Sequence, residues 1–365
     1  MNINFARQPF YVKLACVLVS LFLLCYFAVI AKEILSPLVF SAIFSILLLP
    51  MAGWMEKRLR LPRSASAMLS VIFLLGMIVS LLYVLGAQMR GLASDWPQFK
   101  SQMGTTFQEI QFWVSDHFHI NAAQQLSYMQ SATDKALASG ATVLSATVTS
   151  LSSTLLFLVF TFIYTFFFLL YKRLIMRFLV SVFLEDNKQV VYDIIEQVQY
   201  MIRKYITGLL IEMAIVAAFT GIIFSIFGVK YAFLLGLITG ILNVIPYIGI
   251  LTAIIISALV TFATAAVATQ ALLVIVTLLI IHVIDSNFLL PVIVGSKVRI
   301  NALVTVLGVI TGQMIWGISG MFLSIPVIAV LKIIFDRVDA LKPWGIILGD
   351  EEKKQKNKLP KTNRA

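Results

Sequence analysis

Charged residues are scarce in this chain. Only 12% of its 365 residues are Asp, Glu, Lys or Arg, and its mean hydropathy is +0.96. Soluble globular domains carry about 25% charged residues, so the composition excludes an ordinary soluble protein and indicates an integral membrane protein. The formal net charge of +11 could suggest a nucleic-acid partner. Most Lys and Arg lie in short segments beside apolar runs, however, so we expect the lipid bilayer and no nucleic acid as partner.

Cysteines and catalytic motifs are also few. Cys16 and Cys25 lie nine residues apart in one apolar run, which predicts two small apolar side chains and no disulfide between them. The sequence contains no G-x-x-x-x-G-K-[ST], H-E-x-x-H or G-x-S-x-G motif. His117 and His119 have no further metal ligands nearby. We therefore expect no catalytic residues, no metal site and no cofactor, and hence no enzyme.

Long apolar runs account for most of the chain. A helix needs about 20 apolar residues to cross the hydrocarbon core. The first suitable run is longer than a usual signal-peptide core and has no clear cleavage site after it, which favours a retained span. The sequence predicts an all-α fold, a polytopic membrane helix bundle with about eight membrane segments. Six of them are 14–31, 34–54, 65–89, 150–171, 205–228 and 266–284.

Two further apolar runs, 231–262 and 303–334, are too long for simple spans. Each would form a straight helix of about 48 Å, against a hydrocarbon core of about 30 Å. Proline and clustered glycines break helices, and broken backbone at membrane depth needs a covering of protein or a wet cavity. Both runs therefore either cross with a break or enter and return as re-entrant hairpins. The breaks are predicted at Asn243, Pro246 and Gly249, and at Gly312, Gly317 and Gly320.

Loop charges predict the orientation. Lys and Arg are enriched in 55–63, 172–204 and 335–365 but not in 90–149. The positive-inside rule places the first three segments and both termini in the cytoplasm, and 90–149 outside. Re-entrant hairpins would also make 285–301, with its Lys and Arg, cytoplasmic. The two units of span plus hairpin would then form an inverted repeat of the kind found in secondary transporters.

These features divide the chain into five parts. Periodic apolar residues in 90–149 and 191–201 predict amphipathic helices that pack on the protein, on a neighbouring subunit or on the lipid interface. The predicted parts are N-terminal membrane helices (1–89), an extracytoplasmic amphipathic helical arm (90–149), a membrane helix with a cytoplasmic amphipathic helix (150–204), a C-terminal transport core (205–340) and a basic cytoplasmic tail (341–365).

The few polar groups of the C-terminal half are candidates for a transport pathway. A charge at the bilayer centre costs about 2.5–3.5 kcal/mol, so Glu212 and Asp285 should face a cavity or a partner. Ala214, Ala217, Ala218 and Gly221 share a face that should pack on another helix, which leaves the Glu212 face free to line a cavity. A buried carboxylate can carry a proton or bind a cation. The alternative is a Glu212 that pairs with a basic group.

The stretch HVIDSNFLLPVIVGSKVRIN, residues 282–301, is unusually polar for its position. We expect Pro291 and Gly295 to break the chain after the 266–284 span. Asp285, Asn287 and Asn301 would then offer oxygen ligands near the hairpin ends. The alternative is that Asp285 caps a helix and that Lys297 and Arg299 neutralise it or anchor at headgroups.

Three blocks of the sequence resemble the autoinducer-2 exporter family, the PerM-type permeases: NVIPYIG, DSNFLLPVIVGSKVRINAL and GVITGQMIWGISGMFLSIPVIAVLKIIFDR. The resemblance implies a multi-pass inner-membrane protein that forms homo-oligomers. Some members are linked to autoinducer-2 export and others to sodium/proton exchange. The positions to which the resemblance points are Asn243, Pro246, Gly249, Asp285, Pro291, Gly295, Arg299, Gly312, Trp316, Gly317, Gly320, Pro326, Asp336 and Arg337.

The residues and the resemblance together predict a permease that moves a small polar solute by ion- or proton-linked alternating access. Glu212 and Asp285 would respond to Na⁺ or H⁺, and the breaks at 243–249 and 312–320 would shape the pathway. Two alternatives remain open. One is a monovalent cation (Na⁺)/proton antiporter, and the other is a non-transporting membrane scaffold that uses 90–149 as a docking arm.

Overall fold

The computed structural model describes residues 9–95, 153–183, 188–246, 248–264, 269–293 and 300–349. Within these ranges the chain is helical and contains no strand, which confirms the all-α fold class. The helices are α1 (Phe10–Ile30), α2 (Lys32–Arg58), α3 (Arg63–Ser94), α4 (Ser153–Leu170), α5 (Lys172–Ser181), α6 (Lys188–Ile226), α7 (Ala232–Asn243), α8 (Ile248–Thr264), α9 (Thr269–Ile284), α10 (Ala302–Trp316), α11 (Ile318–Arg337) and α12 (Lys342–Leu348). A π-helical segment (Asp285–Leu289) and a helical turn (Leu290–Ile293) continue α9, and a 3₁₀ turn (Asp339–Leu341) precedes α12.

Six of the described helices are long and apolar enough to cross a membrane. They are α2, α3, α4, α6, α9 with its continuation, and α11. Five of them include or largely overlap a predicted span. The predicted arm lies almost wholly outside the described residues, as does most of the basic tail.

Helix α6 is continuous over 39 residues. At 1.5 Å per residue it is about 58 Å long, so it must extend well beyond a 30 Å hydrocarbon core. The amphipathic stretch 191–201 and the predicted span 205–228 therefore belong largely to one rod. The segment between them contains no proline or glycine that could end the helix.

Each over-long apolar run is divided into two helices. The first hairpin, α7–α8, turns after Asn243, and the second hairpin, α10–α11, turns at Gly317. The start of α7 and the end of α8 lie in one core cluster with the end of α6, through Ala232, Val260 and Phe224. The first hairpin therefore returns to the end of the bundle at which it began.

The second hairpin returns to the opposite end of α6. The backbone N–H of Asn301, just before α10, donates to the carbonyl oxygen of Leu348 in α12 at 3.1 Å. Arg337, the last residue of α11, donates through Nη2 to Oε1 of Gln197 near the start of α6 at 3.2 Å. Both ends of this hairpin therefore lie beside the N-terminal half of α6.

Small residues let α6 and α7 approach closely, as the alanine- and glycine-rich face of α6 predicted. A methyl group on Gly236 would lie 2.7 Å from the carbonyl oxygen of Ala217. A methyl group on Gly240 would lie 2.7 Å from the Cβ of Ala217. Gly236 and Gly240 form a G-x-x-x-G spacing, which allows close packing of helix backbones. This contact positions the end of α7 against the middle of α6.

Candidate functional site

Three polar side chains from three separate elements meet in the interior of the bundle. Glu212 lies in α6, Asn243 is the last residue of α7, and Asp285 is the first residue of the π-helical segment. The Nδ2 atom of Asn243 donates to Oε1 of Glu212 at 3.2 Å and to Oδ2 of Asp285 at 3.0 Å. One amide nitrogen thus bridges two carboxyl groups, which we call the carboxylate pair.

The carboxylate pair is closed off from the surroundings. Glu212 is 3% exposed and Asp285 is 6% exposed. Oε2 of Glu212 and Oδ1 of Asp285 are buried without a hydrogen-bond partner. Across the described residues, no Lys, Arg or His forms an ion pair with either carboxyl group. Glu212 therefore packs in the interior and does not line an open cavity, and no basic partner for it is seen in this part of the chain.

Like charges in such a site are costly. Two ionised carboxylates at close range repel each other, and burial strengthens the repulsion because little water is present to screen it. An unpaired buried oxygen adds a desolvation penalty of about 1–3 kcal/mol, and more when it is charged. The arrangement can therefore hold a proton shared within the carboxylate pair or a small cation between the free oxygens.

The π-helical segment positions Asp285. The N–H of Leu290 donates to the carbonyl oxygen of Asp285, a bond that spans five residues instead of four. Pro291 follows directly, and it has no N–H to donate to the carbonyl of Asn287. Pro291 and Gly295 were predicted to break the chain after the 266–284 span. The helix continues through Pro291 to Ile293, and Gly295 lies outside the described residues.

The tip of the first hairpin is tightly closed. A methyl group on Gly249 would overlap the carbonyl oxygen of Leu242, so only glycine fits between the two helix ends. Pro246 lies in the turn, and Val244 packs against the core cluster formed by α2, α6 and α11. This turn holds Asn243 at the end of α7, where its side chain reaches the carboxylate pair.

The second break uses glycine in two ways. Gly317 has φ 63° and ψ −139°, a conformation in the positive-φ region that favours glycine. Gly312 and Gly320 press their backbones together, and a methyl group on either would overlap the carbonyl oxygen of the other. Trp316 donates from Nε1 to the carbonyl oxygen of Ala28 in α1 at 2.9 Å, which ties the hairpin tip to α1.

The second break is separate from the carboxylate pair. Gly312, Trp316 and Gly320 line an apolar groove of about 440 Å³, together with Leu307, Val327 and other apolar residues. In the described residues, no hydrogen bond links this groove to Glu212, Asn243 or Asp285. The two predicted breaks therefore form two distinct environments, one polar and closed and the other apolar.

The remaining predicted residues lie outside the carboxylate pair. Asn287 is exposed and donates to the carbonyl oxygen of Val283 at 2.7 Å. Asn301 caps α10, since its Oδ1 accepts from the N–H of Leu303 at 2.9 Å. Asp336 accepts from Lys332 at 2.7 Å, at the same end of the bundle as Arg337. Gly295, Arg299 and Lys297 fall outside the described residues.

A second polar cluster, at the far end of the first hairpin, was not predicted. Asp95, just after α3, forms an ion pair with Lys230 and lies within hydrogen-bond distance of the hydroxyl of Tyr231. The same hydroxyl is 2.9 Å from the carbonyl oxygen of Gly91. The sequence contains only one signal for this cluster, the adjacent Lys230 and Tyr231 between two apolar runs. That signal does not identify Asp95 as their partner.

This cluster shifts the acidity of both partners. The hydrogen bond of Lys230, then that of Tyr231, and to a smaller extent the charge of Lys230 hold the pKa of Asp95 below its ordinary value of 3.8. Loss of contact with water, with a smaller effect of Asp95, raises the pKa of Tyr231 to about 12. The ionised carboxylate and the neutral phenol are therefore the stable forms at neutral pH.

The membrane-length helices and the buried carboxyl groups at a hairpin tip define a multi-pass membrane protein of the transporter class. Residues 16–340 match the family model described as AI-2E family transporter, so the chain belongs to this family of transporters. The resemblance found in the three sequence blocks is confirmed over most of the chain.

Curated relatives agree with the family match. The chain is 28% identical over 323 residues to the putative transport protein YrrI of Bacillus subtilis, which covers 84% of this chain and 87% of the relative. It is 25% identical over 335 residues to the AI-2 transport protein TqsA of Escherichia coli K12, a match that covers 88% of this chain and 91% of TqsA. It is 26% identical over 149 residues to the putative permease PerM of the same organism, a match that covers 41% of this chain and 42% of PerM.

Proposed function

We propose that this transporter is a permease that moves a small polar solute by ion- or proton-linked alternating access. The observation that carries the proposal is the carboxylate pair, buried and bridged by Asn243 at the tip of a hairpin. Ionisable groups inside a membrane protein are costly and are typically found at ion or substrate pathways. Here they join α6, the first hairpin and the π-helical segment.

Occupancy of the carboxylate pair would control the hairpin tip. With one proton or one small cation bound, Asn243 can bridge both carboxyl groups, and the site stays closed. Without it, two negative charges repel each other in the interior, and this repulsion favours separation of the three elements and entry of water. A site that favours one conformation when occupied and another when empty can couple an ion gradient to solute movement.

The membrane arrangement belongs to the same proposal. Both hairpins are re-entrant from opposite sides, so that α6 with the first hairpin and α9 with the second form an inverted repeat. Both termini lie in the cytoplasm and segment 90–149 lies outside, in the cell inner membrane. The return of the two hairpins to opposite ends of α6 supports this arrangement. We also propose that the protein forms homo-oligomers.

The solute class follows from the relatives and the site. TqsA is named for AI-2 transport, and this chain is similar to it along nearly its whole length. Autoinducer-2 is therefore the first solute to test, within a panel of small polar solutes.

The test uses purified protein in proteoliposomes with imposed H⁺ or Na⁺ gradients. Asp285→Asn keeps the shape of the side chain but removes its titration, so we expect gradient-driven solute flux to fall at least tenfold, about 1.4 kcal/mol on the rate. Asp339→Asn is the matched control, because Asp339 is exposed and pairs only with Lys342 among the described residues. Equal gradient-driven flux in Asp285→Asn and in the wild type would refute the proposal.

A second candidate is a monovalent cation/proton antiporter. It is favoured by the two unpaired oxygens, one on each carboxyl group, which could bind Na⁺ directly. The same vesicles decide between the two functions. Proton movement driven by Na⁺ in the absence of any organic solute, and lost in Asp285→Asn, would favour the antiporter.

A further inference from the structure

A cleft lined by the cations Lys57, Arg58 and Arg203 lies between the end of α2 and the N-terminal half of α6. Its volume is about 680 Å³. It lies on the same end of the bundle as Arg337 and Gln197, far from the Asp95 cluster. The lining residues are Leu49, Pro50, Gly53, Trp54, Lys57, Arg58, Gln199 and Arg203.

The cations of this cleft have no described acidic partner. Within the described part of the chain, the side chains of Lys57, Arg58 and Arg203 form neither an ion pair nor a hydrogen bond. The nearest carboxylate in sequence, Glu56, is already paired with Lys172 at 2.6 Å. Three positive charges around one cleft repel each other, and an anion placed between them would relieve that repulsion.

On the same face of α2, before Lys57 and Arg58 in the sequence, the lining of the cleft is apolar. Leu49 and Pro50 belong to the membrane-length helix α2, and the indole of Trp54 is 57% exposed. Exposed tryptophan at the end of a membrane helix is typical of the headgroup level of the bilayer, where one side of the ring is apolar and the other is wet. The cleft therefore combines three cations with an apolar surface suited to an acyl chain.

We propose that this cleft binds the phosphate headgroup of an anionic phospholipid. Lys57, Arg58 and Arg203 contact the phosphate, Gln199 donates to it, and the first carbons of the acyl chains lie on Leu49, Pro50 and Trp54. A free inorganic phosphate would contact the cations but leave Leu49, Pro50 and Trp54 uncovered. A bound lipid would join α2 to α6, the helix that carries Glu212.

The experiment measures lipid binding to the full-length protein purified in detergent. Phosphatidylglycerol, phosphatidylcholine and inorganic phosphate are titrated separately, with thermal unfolding and native mass spectrometry as readouts. The cleft variant carries Lys57→Gln, Arg58→Gln and Arg203→Gln. A matched control carries Arg60→Gln, Arg63→Gln and Lys204→Gln. The control removes the same charge from the same end of the bundle without touching the cleft lining.

We expect phosphatidylglycerol to stabilise the wild type and the control variant and to remain bound to both. The cleft variant should lose most of this effect, since each cation near a phosphate contributes about fivefold in affinity. If the triple variant does not fold, two single-substitution variants give the same comparison: Arg203→Gln in the cleft and Lys204→Gln outside it. We expect the first to bind phosphatidylglycerol about fivefold more weakly than the second.

Three results would overturn the proposal. Equal loss of binding in the control variant would show a diffuse surface charge instead of a site. Equal binding of phosphatidylcholine would show that the anionic headgroup is not recognised. Stabilisation by inorganic phosphate that matches phosphatidylglycerol, and that the lipid competes away, would identify a free-anion site instead of a lipid site.

Discussion

At Asn243, a single amide nitrogen contacts two carboxyl groups that come from segments 31 and 42 residues away in the chain. The polarity of Glu212, Asn243 and Asp285 in an apolar region was enough to select each of them from the sequence. Their mutual contact could not be predicted, because it depends on how α6, the first hairpin and the π-helical segment pack. Physically, one buried polar group needs a partner, but the sequence does not say which one.

The Asp95 cluster gives a prediction about pH. The folded state holds the pKa of Asp95 below its unfolded value of 3.8, so the stabilisation is present above that value and is lost as the pH falls through the folded pKa. We expect Asp95→Asn to lower the melting temperature at pH 7. The difference from the wild type should shrink as the pH falls below about 4.

The measurement is thermal unfolding of both proteins in detergent between pH 3 and pH 8. Glu196→Gln removes an exposed carboxylate at the other end of the bundle, one that forms no ion pair among the described residues, and corrects for general effects of charge. A difference between Asp95→Asn and the wild type that stays constant down to the lowest pH would contradict the prediction.

At the scale of single elements, the approximate location of five membrane-length helices and of the two breaks followed from hydropathy, proline and glycine. The type of each break could not be predicted from these features. Pro291 lies inside a helical continuation that runs to Ile293, directly after the π-helical bond from the N–H of Leu290 to the carbonyl oxygen of Asp285. The break at Gly317, by contrast, is a sharp turn, because its positive φ reverses the chain within one residue.

Close backbone packing in the second hairpin leads to a prediction for Gly320→Ala. The added methyl group would overlap the carbonyl of Gly312, so the hairpin must open slightly. We expect a loss of about 1–3 kcal/mol in stability, as is typical of an overpacked core. The measurement is the melting temperature in detergent, together with solute flux in vesicles.

Gly76→Ala is the control, since a methyl group there would have no neighbour within 4 Å. It should be neutral or slightly stabilising, because alanine favours a helix interior more than glycine does. If both variants melt at the same temperature, the two arms of the hairpin are not in tight contact.

At the scale of the whole molecule, the direction in which each hairpin enters the membrane is the main prediction. Asn301 is hydrogen-bonded to Leu348, at the end of the bundle opposite Asp95. Residue 297, only four residues before Asn301, should therefore be accessible from the cytoplasm.

Cysteine labelling tests this arrangement in intact cells. The background protein has Cys16 and Cys25 replaced by serine. Lys297→Cys should react with a membrane-impermeant thiol reagent only after the cells are opened, as Asp339→Cys should. Asp95→Cys provides the comparison from the other end and should react in intact cells. Labelling of Lys297→Cys in intact cells would show that the over-long runs cross the membrane.

The sequence alone was sufficient for the membrane class, the all-helical fold, the approximate location of five membrane-length helices and the positions of both breaks. These properties depend on local composition and on the thickness of a bilayer, so they can be read from consecutive residues. Only the tertiary structure showed that Glu212, Asn243 and Asp285 form one closed site and that α6 runs unbroken past the predicted boundary. It also separated the apolar groove of the second hairpin from that site. Those features depend on packing between segments that are distant in the chain, and hydropathy carries no information about which helix faces meet.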